Sequence, residues 1–142
     1  MIVIDGTNTP MGRVGVLAAK QSLRGEVVRV VNCNKIIITG NKENILEEFL
    51  ETRRRHGSSQ KGPIINKTSP EKIVKRCIRG MLPSHKEGRG RVAFKNIMCY
   101  NEVPKELEAE KMIKIETTKK IKFSMLKDFT KQWVSKQNSK KL

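Results

Sequence analysis

Residues 1–31, MIVIDGTNTPMGRVGVLAAKQSLRGEVVRVV, contain the pattern that decides the fold. The β-branched residues 2–4 predict a short buried strand, and the Asp5-Gly6 pair that follows is typical of a turn. Thr9-Pro10 predicts a helix start, with threonine as the N-cap and proline at the first helical position. Apolar residues at helical spacing come next. The β-branched residues 27–31 then predict a second strand, so the stretch predicts a strand, a helix and a strand.

Another β-branched run, residues 36–38, follows the second strand after only a few residues. A parallel crossover needs about a dozen residues, so the two runs either form one bent element or pair with different partners. Three further helices are predicted next along the chain. The first is capped by Asn41, and the second begins at Ser69-Pro70 by the same pattern of a cap followed by proline. The third is a short helix through Lys95, which is predicted to follow the glycine-rich basic stretch at residues 88–91.

The alternation of strands and helices predicts an α/β domain. We expect a three-layer α/β/α arrangement with a mostly parallel sheet of about four strands, including one near residues 97–100. Residues 1–103 are predicted to form the core. Residues 104–142 are predicted to form a C-terminal extension, with an exposed connection at 104–111, one helix at 121–134 and a basic tail.

The charge of the chain indicates a polyanionic partner. Its 142 residues include 30 Lys and Arg against 14 Asp and Glu, which gives a formal net charge of +16 and a pI near 10.1. Residues 51–100 hold thirteen of the basic residues but only three of the acidic ones. Clustered cations bind nucleic acid because they displace the counterions condensed on phosphates. A charge that served only solubility would be spread more evenly along the chain.

The pattern gives no support to several other kinds of site. The three cysteines, at positions 33, 77 and 99, are scattered without a CxxC pair, which argues against a zinc site or a disulfide framework and fits a reducing cytosol. We predict no metal, no cofactor and no small-molecule substrate. No stretch approaches the ~20 apolar residues of a membrane span, and no signal region precedes the first strand. The protein is therefore predicted to be cytoplasmic, without a membrane partner.

A nucleotide-dependent enzyme is the rival hypothesis, because residues 5–13, DGTNTPMGR, lie between a strand and a helix, where phosphates usually bind. The Walker pattern fails, since five residues separate Gly6 from Gly12 and Arg13 stands in the lysine position. The dinucleotide pattern also fails, since Pro10 stands where its first glycine would be. We therefore predict a tight structural turn without enzymatic activity, next to which Arg13 contacts RNA phosphate.

Two basic clusters supply the other candidate RNA-binding residues. The predicted third helix carries apolar residues on one face and basic residues on the opposite face. The first cluster comprises Arg53, Arg54 and Arg55 in the last turn of the predicted second helix, together with His56, Lys61 and Lys67 in the loop that follows. The second cluster comprises Arg76, Arg79, Lys86, Arg89, Arg91 and Lys95. The chain lacks aromatic platforms for single-stranded bases, so we expect it to recognise the shape and backbone of folded RNA.

The string MGRVGVLAAK, residues 11–20, followed by Leu23-Arg24-Gly25, resembles the opening of the universal large-subunit ribosomal protein L13 family. RGMLP, residues 79–83, is the most distinctive string of that family. The strand near residues 27–32 and the run at 97–100 continue the match in colinear order. The archaeal and eukaryotic type is the one resembled, because the insertion typical of bacterial members after the first helix is absent.

This resemblance implies a three-layer α/β domain that binds large-subunit rRNA, contacts neighbouring large-subunit ribosomal proteins and supports subunit assembly in the cytoplasmic ribosome. Composition and spacing alone indicate only a basic α/β protein that binds structured RNA. A regulator that binds messenger RNA or tRNA outside the ribosome shares all the bulk properties, and it is the alternative within the RNA-binding class.

Overall fold

The computed structural model describes residues 1–54, 69–115 and 122–130. Within these ranges the elements, in chain order, are β1 (Ile2–Asp5), α1 (Met11–Leu23), β2 (Val28–Val31), a 3-10 helix (Cys33–Lys35), β3 (Ile37–Thr39), α2 (Lys42–Arg54), α3 (Pro70–Met81), α4 (Gly88–Asn96), β4 (Ile97–Cys99), a second 3-10 helix (Lys105–Leu107), β5 (Met112–Lys114), β6 (Phe123–Met125) and α5 (126–130). No helix in this part of the chain is long and apolar enough to cross a membrane.

Four strands form one parallel sheet in the order β4-β2-β1-β5. β1 pairs with β2 from Ile2 opposite Val28 to Asp5 opposite Val31. β4 lies on the far side of β2, and β5 lies on the far side of β1. Parallel neighbours require a crossover connection, and α1 supplies it between β1 and β2. The predicted α/β class and its sheet of four parallel strands are confirmed.

Helices α1, α3 and α4 pack together on one face of this sheet. Ile4 and Val30 point toward these helices and are fully buried, as are Val74 and Ile78 of α3. Burying one such side chain stabilises the fold by about 1.5–3 kcal/mol. The apolar layer therefore fixes the position of α3, while α4 packs on α1 and β4 through its buried residues Gly90 and Ala93. The two helices and the loop between them carry the second basic cluster on their exposed side.

The opposite face of the sheet has a thinner cover in the described residues. Side chains alternate along a strand, so Val3 and Val31 point to this face, where Leu107 covers them. The exposed connection predicted for 104–111 is therefore wrong at Leu107, which is buried. A single 3-10 turn contributes one inward residue, which is too little to produce a recognisable apolar period among charged neighbours.

The β-branched runs 27–31 and 36–38 pair with different partners. β3 pairs antiparallel with β6, and the two form a small second sheet. The helix predicted for 121–134 is consequently wrong at its start, because residues 123–125 are a strand and the helix α5 begins at residue 126. The backbone N–H of Leu126 donates to the carbonyl of Ile36 at 2.8 Å, so this pairing is a long-range interaction. The division of the chain at residue 103 stays a prediction, and both β5 and β6 lie beyond it.

The start of α1 differs by one residue from the prediction. Pro10, not Thr9, is the N-cap, with φ −60° and ψ 135°, and its carbonyl accepts hydrogen bonds from the N–H groups of Arg13 and Val14. Thr9 is buried, and its hydroxyl donates to the carbonyl of Thr7 at 3.2 Å. The side chain that was predicted to cap the helix is thus held by the loop before it.

Candidate nucleic-acid interface

Helix α3 places its apolar and basic residues on opposite faces, as its sequence predicts. Its buried residues are Pro70, Ile73, Val74 and Ile78. Lys72, Arg76 and Arg79 are exposed on the other side. Three cations on one exposed helical surface form a compact site for phosphate contacts.

The start of α3 is tied to the end of β4. Asn101 accepts a hydrogen bond from the backbone N–H of Glu71 through its side-chain oxygen at 3.1 Å, and its amide nitrogen donates to the hydroxyl of Ser69 at 3.1 Å. These bonds satisfy groups at a helix N-terminus that have no partner within the helix. They also fix the direction in which α3 carries its arginines across the sheet.

Helix α4 begins earlier than the sequence predicts. The Gly-Arg-Gly-Arg stretch, residues 88–91, forms its first turn instead of preceding the helix. Gly90 determines this position because the chain at Pro83 packs directly on it: a Cβ added at Gly90 would lie 2.5 Å from the Pro83 carbonyl oxygen. Arg89 and Arg91 are exposed on either side of the buried glycine.

Side chains also connect α3 with α4. The Nζ of Lys75 lies 5.1 Å from the ring centroid of Phe94 and 3.7 Å from the Sδ of Met98. The His85 ring meets Phe94 edge-on, with 6.0 Å between centroids. A cation–π contact of this kind contributes about 0.5–1 kcal/mol at an exposed site. These contacts hold α3 and α4 next to each other, so the arginines of the two helices lie on adjoining elements.

The cations of the second cluster have no acidic partners among the described residues. The ion pair found there joins the Met1 amino group to Glu26 at 3.4 Å, and neither residue belongs to the cluster. The six exposed members are Arg76, Arg79, Lys86, Arg89, Arg91 and Lys95. Uncompensated charge at this density creates a local potential that attracts polyanions. Lys72 was missed as a candidate, although its position four residues before Arg76 on a helix would have identified it.

The other candidate residues lie elsewhere. Arg13 is exposed on the first turn of α1, and Gly15 on the next turn contacts Met81 of α3. Arg53 and Arg54 are the last residues of α2, and only their backbone is described. The candidates Arg55, His56, Lys61 and Lys67 lie outside the described residues.

The loop between β1 and α1 is organised around a carboxylate. The Asp5 Oδ1 accepts hydrogen bonds from the Thr7 backbone N–H at 3.0 Å, the Thr7 hydroxyl at 2.7 Å and the Asn32 side-chain amide at 2.9 Å. Burial opposes ionisation, but these bonds and the charge of Lys114 outweigh it, so that the pKa of Asp5 lies below its ordinary value. A phosphate in this loop would meet a buried negative charge instead of free N–H donors. The geometry therefore argues against a phosphate-binding loop.

Replacing Asp5 by alanine should lower the free energy of unfolding by about 2 kcal/mol at pH 7, because three donors lose their acceptor. The folded-state pKa is depressed, so this stabilisation is present above the ordinary value of 3.8 and is lost as the pH falls through the folded pKa. Denaturant unfolding of wild type, Asp5→Ala and Asp5→Asn between pH 7 and pH 2 tests this. A difference between wild type and Asp5→Ala that did not shrink in acid would contradict the role given to the carboxylate.

The buried thiols belong to the core and not to a reactive site. Cys33 begins the 3-10 helix after β2, Cys99 ends β4, and both are buried. The interaction with Cys99, together with burial, raises the pKa of the Cys33 thiol. A raised pKa keeps a thiol protonated and unreactive. In the described ranges, no group of three or more His, Cys, Asp or Glu side chains could hold a metal ion.

A parallel α/β domain that carries an uncompensated basic surface on adjoining helices belongs to the class of nucleic-acid-binding proteins. The family model for "Ribosomal protein L13" matches residues 1–106 of the chain. The chain belongs to this family, which is structural rather than catalytic, so the protein is not an enzyme.

Several similar proteins of archaea are named "Large ribosomal subunit protein uL13". The protein of Picrophilus torridus is 43% identical over 117 residues, which cover 82% of this chain and 83% of the relative. The protein of Thermoplasma volcanium is 38% identical over 135 residues, covering 93% of this chain and 97% of the relative. The protein of Archaeoglobus fulgidus is 42% identical over 114 residues, covering 80% and 71%. The resemblance stated from the sequence strings is confirmed.

Proposed function

We propose that this protein is a structural constituent of the large ribosomal subunit in the cytoplasm, where it binds folded rRNA and supports subunit assembly. Family membership and the names of the relatives support the subunit assignment. The RNA contact is supported by the basic surface of α3, α4 and the loop between them, where six exposed cations lack acidic partners among the described residues. Neighbouring large-subunit ribosomal proteins are the proposed protein partners.

The proposed contact residues are the two clusters together with Arg13. Guanidinium groups suit this role because they stay charged and can hold two phosphate oxygens at once. Their mechanism is the neutralisation of closely spaced phosphates, which lets RNA helices that would repel one another stay together. Counterion release supplies much of the free energy of such binding. The first cluster, which begins in the last turn of α2, extends this mechanism with Arg53, Arg54, Arg55, His56, Lys61 and Lys67.

Sedimentation separates this function from that of a regulator that binds messenger RNA or tRNA. Lysate of the source organism is run through a sucrose gradient at about 0.5 M KCl, at which salt screens weak phosphate contacts. We expect the native protein to travel with large subunits and to be released from them by ribonuclease. Recovery of the protein at the top of the gradient, or with small RNAs only, would contradict the proposal.

A further inference from the structure

Two helical glycines have no packing explanation among the residues that the structure describes. Gly12 lies on the first turn of α1 and Gly80 on the last turn of α3, and both are exposed. A Cβ added at either position would have no heavy atom within 4 Å, and neither residue has a positive φ. Glycine in a helix destabilises it relative to alanine because it loses more conformational freedom on folding. These two residues therefore lower the stability of the free protein without an internal packing reason.

Gly15 of α1 and Gly90 of α4 show what an internal packing reason is. At Gly15 an added Cβ would lie 2.8 Å from the Sδ of Met81, and at Gly90 it would meet the backbone of Pro83. Those positions are small because neighbouring parts of the chain pack on them. The space over Gly12 and Gly80 is empty in the part of the chain that the structure describes, and a partner that approaches the helix backbone closely would give a reason for their size.

Gly12 and Gly80 lie on adjoining elements. α1 packs on α3, and Gly80 lines the same cavity of about 480 Å³ as Met11, the residue before Gly12. Arginine neighbours each glycine: Arg13 follows Gly12, and Arg79 precedes Gly80. The acidic residue that lines the cavity, Glu48, belongs to α2.

We propose that the first turn of α1 and the last turn of α3 form a close-approach surface for the sugar–phosphate backbone of folded RNA. The inference rests on the proposed rRNA-binding function and adds Gly12 and Gly80 to its contact residues. The missing side chains let the RNA backbone reach the helix backbone, while Arg13, Arg76 and Arg79 supply the charge that matches phosphate. Arg76 and Arg79 are exposed and form no ion pair with a described residue. Their charge favours RNA over an apolar protein helix as the occupant, since an apolar helix would cover these two guanidinium groups without pairing them.

The test uses Gly12→Ala and Gly80→Ala in the full chain, with effects expected in opposite directions. Each change should raise the melting temperature of the free protein by about 2 °C, because alanine is the better helix former and its methyl group meets nothing. Each should weaken binding to in vitro transcribed archaeal large-subunit rRNA about tenfold, because a methyl group inserted into a close-packed contact pushes the surfaces apart. The salt dependence should be unchanged, since no charge is removed.

Asn44→Ala is the matched control, because it also improves helix propensity at an exposed position, on the acidic first part of α2. It should raise the melting temperature without affecting rRNA binding. Wild-type rRNA affinity in both glycine variants would overturn the inference and leave the proposed function standing. A lowered melting temperature in either variant would also overturn it, because the added methyl group would then meet something inside the protein. Failure of the wild-type chain to bind this rRNA would overturn the proposed function itself.

Discussion

Alanine at the four exposed arginines of α3 and α4 should lower the affinity for large-subunit rRNA at least about a hundredfold at 0.15 M salt. The four are Arg76, Arg79, Arg89 and Arg91. None forms an ion pair with a described residue, so removing them leaves no buried partner unsatisfied. The fold should stay intact, and its melting temperature should stay within a few degrees, because these side chains are exposed and repel one another.

The salt dependence gives the sharper measurement. Each phosphate contact adds about 0.7–0.9 to the slope of log affinity against log salt concentration. Wild type with at least six such contacts should therefore show a slope of several units, and the fourfold variant should lose about three of them. Filter binding or fluorescence anisotropy at 0.05–0.3 M KCl measures both quantities.

A charge-matched variant shows whether the place of the charge matters. Lys42, Lys105, Lys111 and Lys122 are exposed and lie outside the second cluster. Alanine at these four lowers the net charge by the same amount, but should reduce the affinity only severalfold. Equal losses in the two variants would mean that net charge, not the surface of α3 and α4, determines binding, and the site assignment would then be wrong.

The parts of the fold that were predictable from sequence are those encoded in local patterns. The strand–helix–strand unit of residues 1–31 was predictable because β-branched runs, a turn and a proline at the helix start occur in order. Helix α3 was predictable for the same reason: its apolar and basic residues separate at a period of 3.6. Arg76 and Arg79 were identified from that period alone, and the structure places both on the exposed side.

The parts that could not be predicted depend on contacts between distant residues. β6 is a strand because it pairs with β3, more than eighty residues earlier in the chain, and an apolar run of that length fits a helix equally well. Leu107 is buried because it packs against Val3 and Val31 of the sheet. The charged residues beside Leu107 in the sequence do not indicate this contact. The helical start at residues 88–91 depends on Gly90 packing against Pro83, whereas glycine by itself predicts a loop.

Gly90 connects the fold with the basic surface, and Gly90→Ala should lower the free energy of unfolding by about 3 kcal/mol. The added methyl group would overlap backbone atoms of Pro83 and Ser84, which cannot rotate away as the end of a side chain can. Gly15→Ala is the matched control in α1, where the added methyl group meets only the flexible thioether of Met81. Because alanine also favours the helix, the control should stay within about 1 kcal/mol of wild type.

The consequence for binding follows from the geometry of α4. To relieve the overlap, the first turn of α4 has to move away from the segment at Pro83, and Arg89 and Arg91 move with it. At a temperature where the variant is still folded, Gly90→Ala should therefore weaken rRNA binding although every cation is retained. Urea unfolding followed by circular dichroism, together with anisotropy on the same sample, measures both effects. A Gly90→Ala protein as stable as the Gly15→Ala protein would show that the contact with Pro83 does not set the start of α4, and the placement of Arg89 and Arg91 would then need another cause.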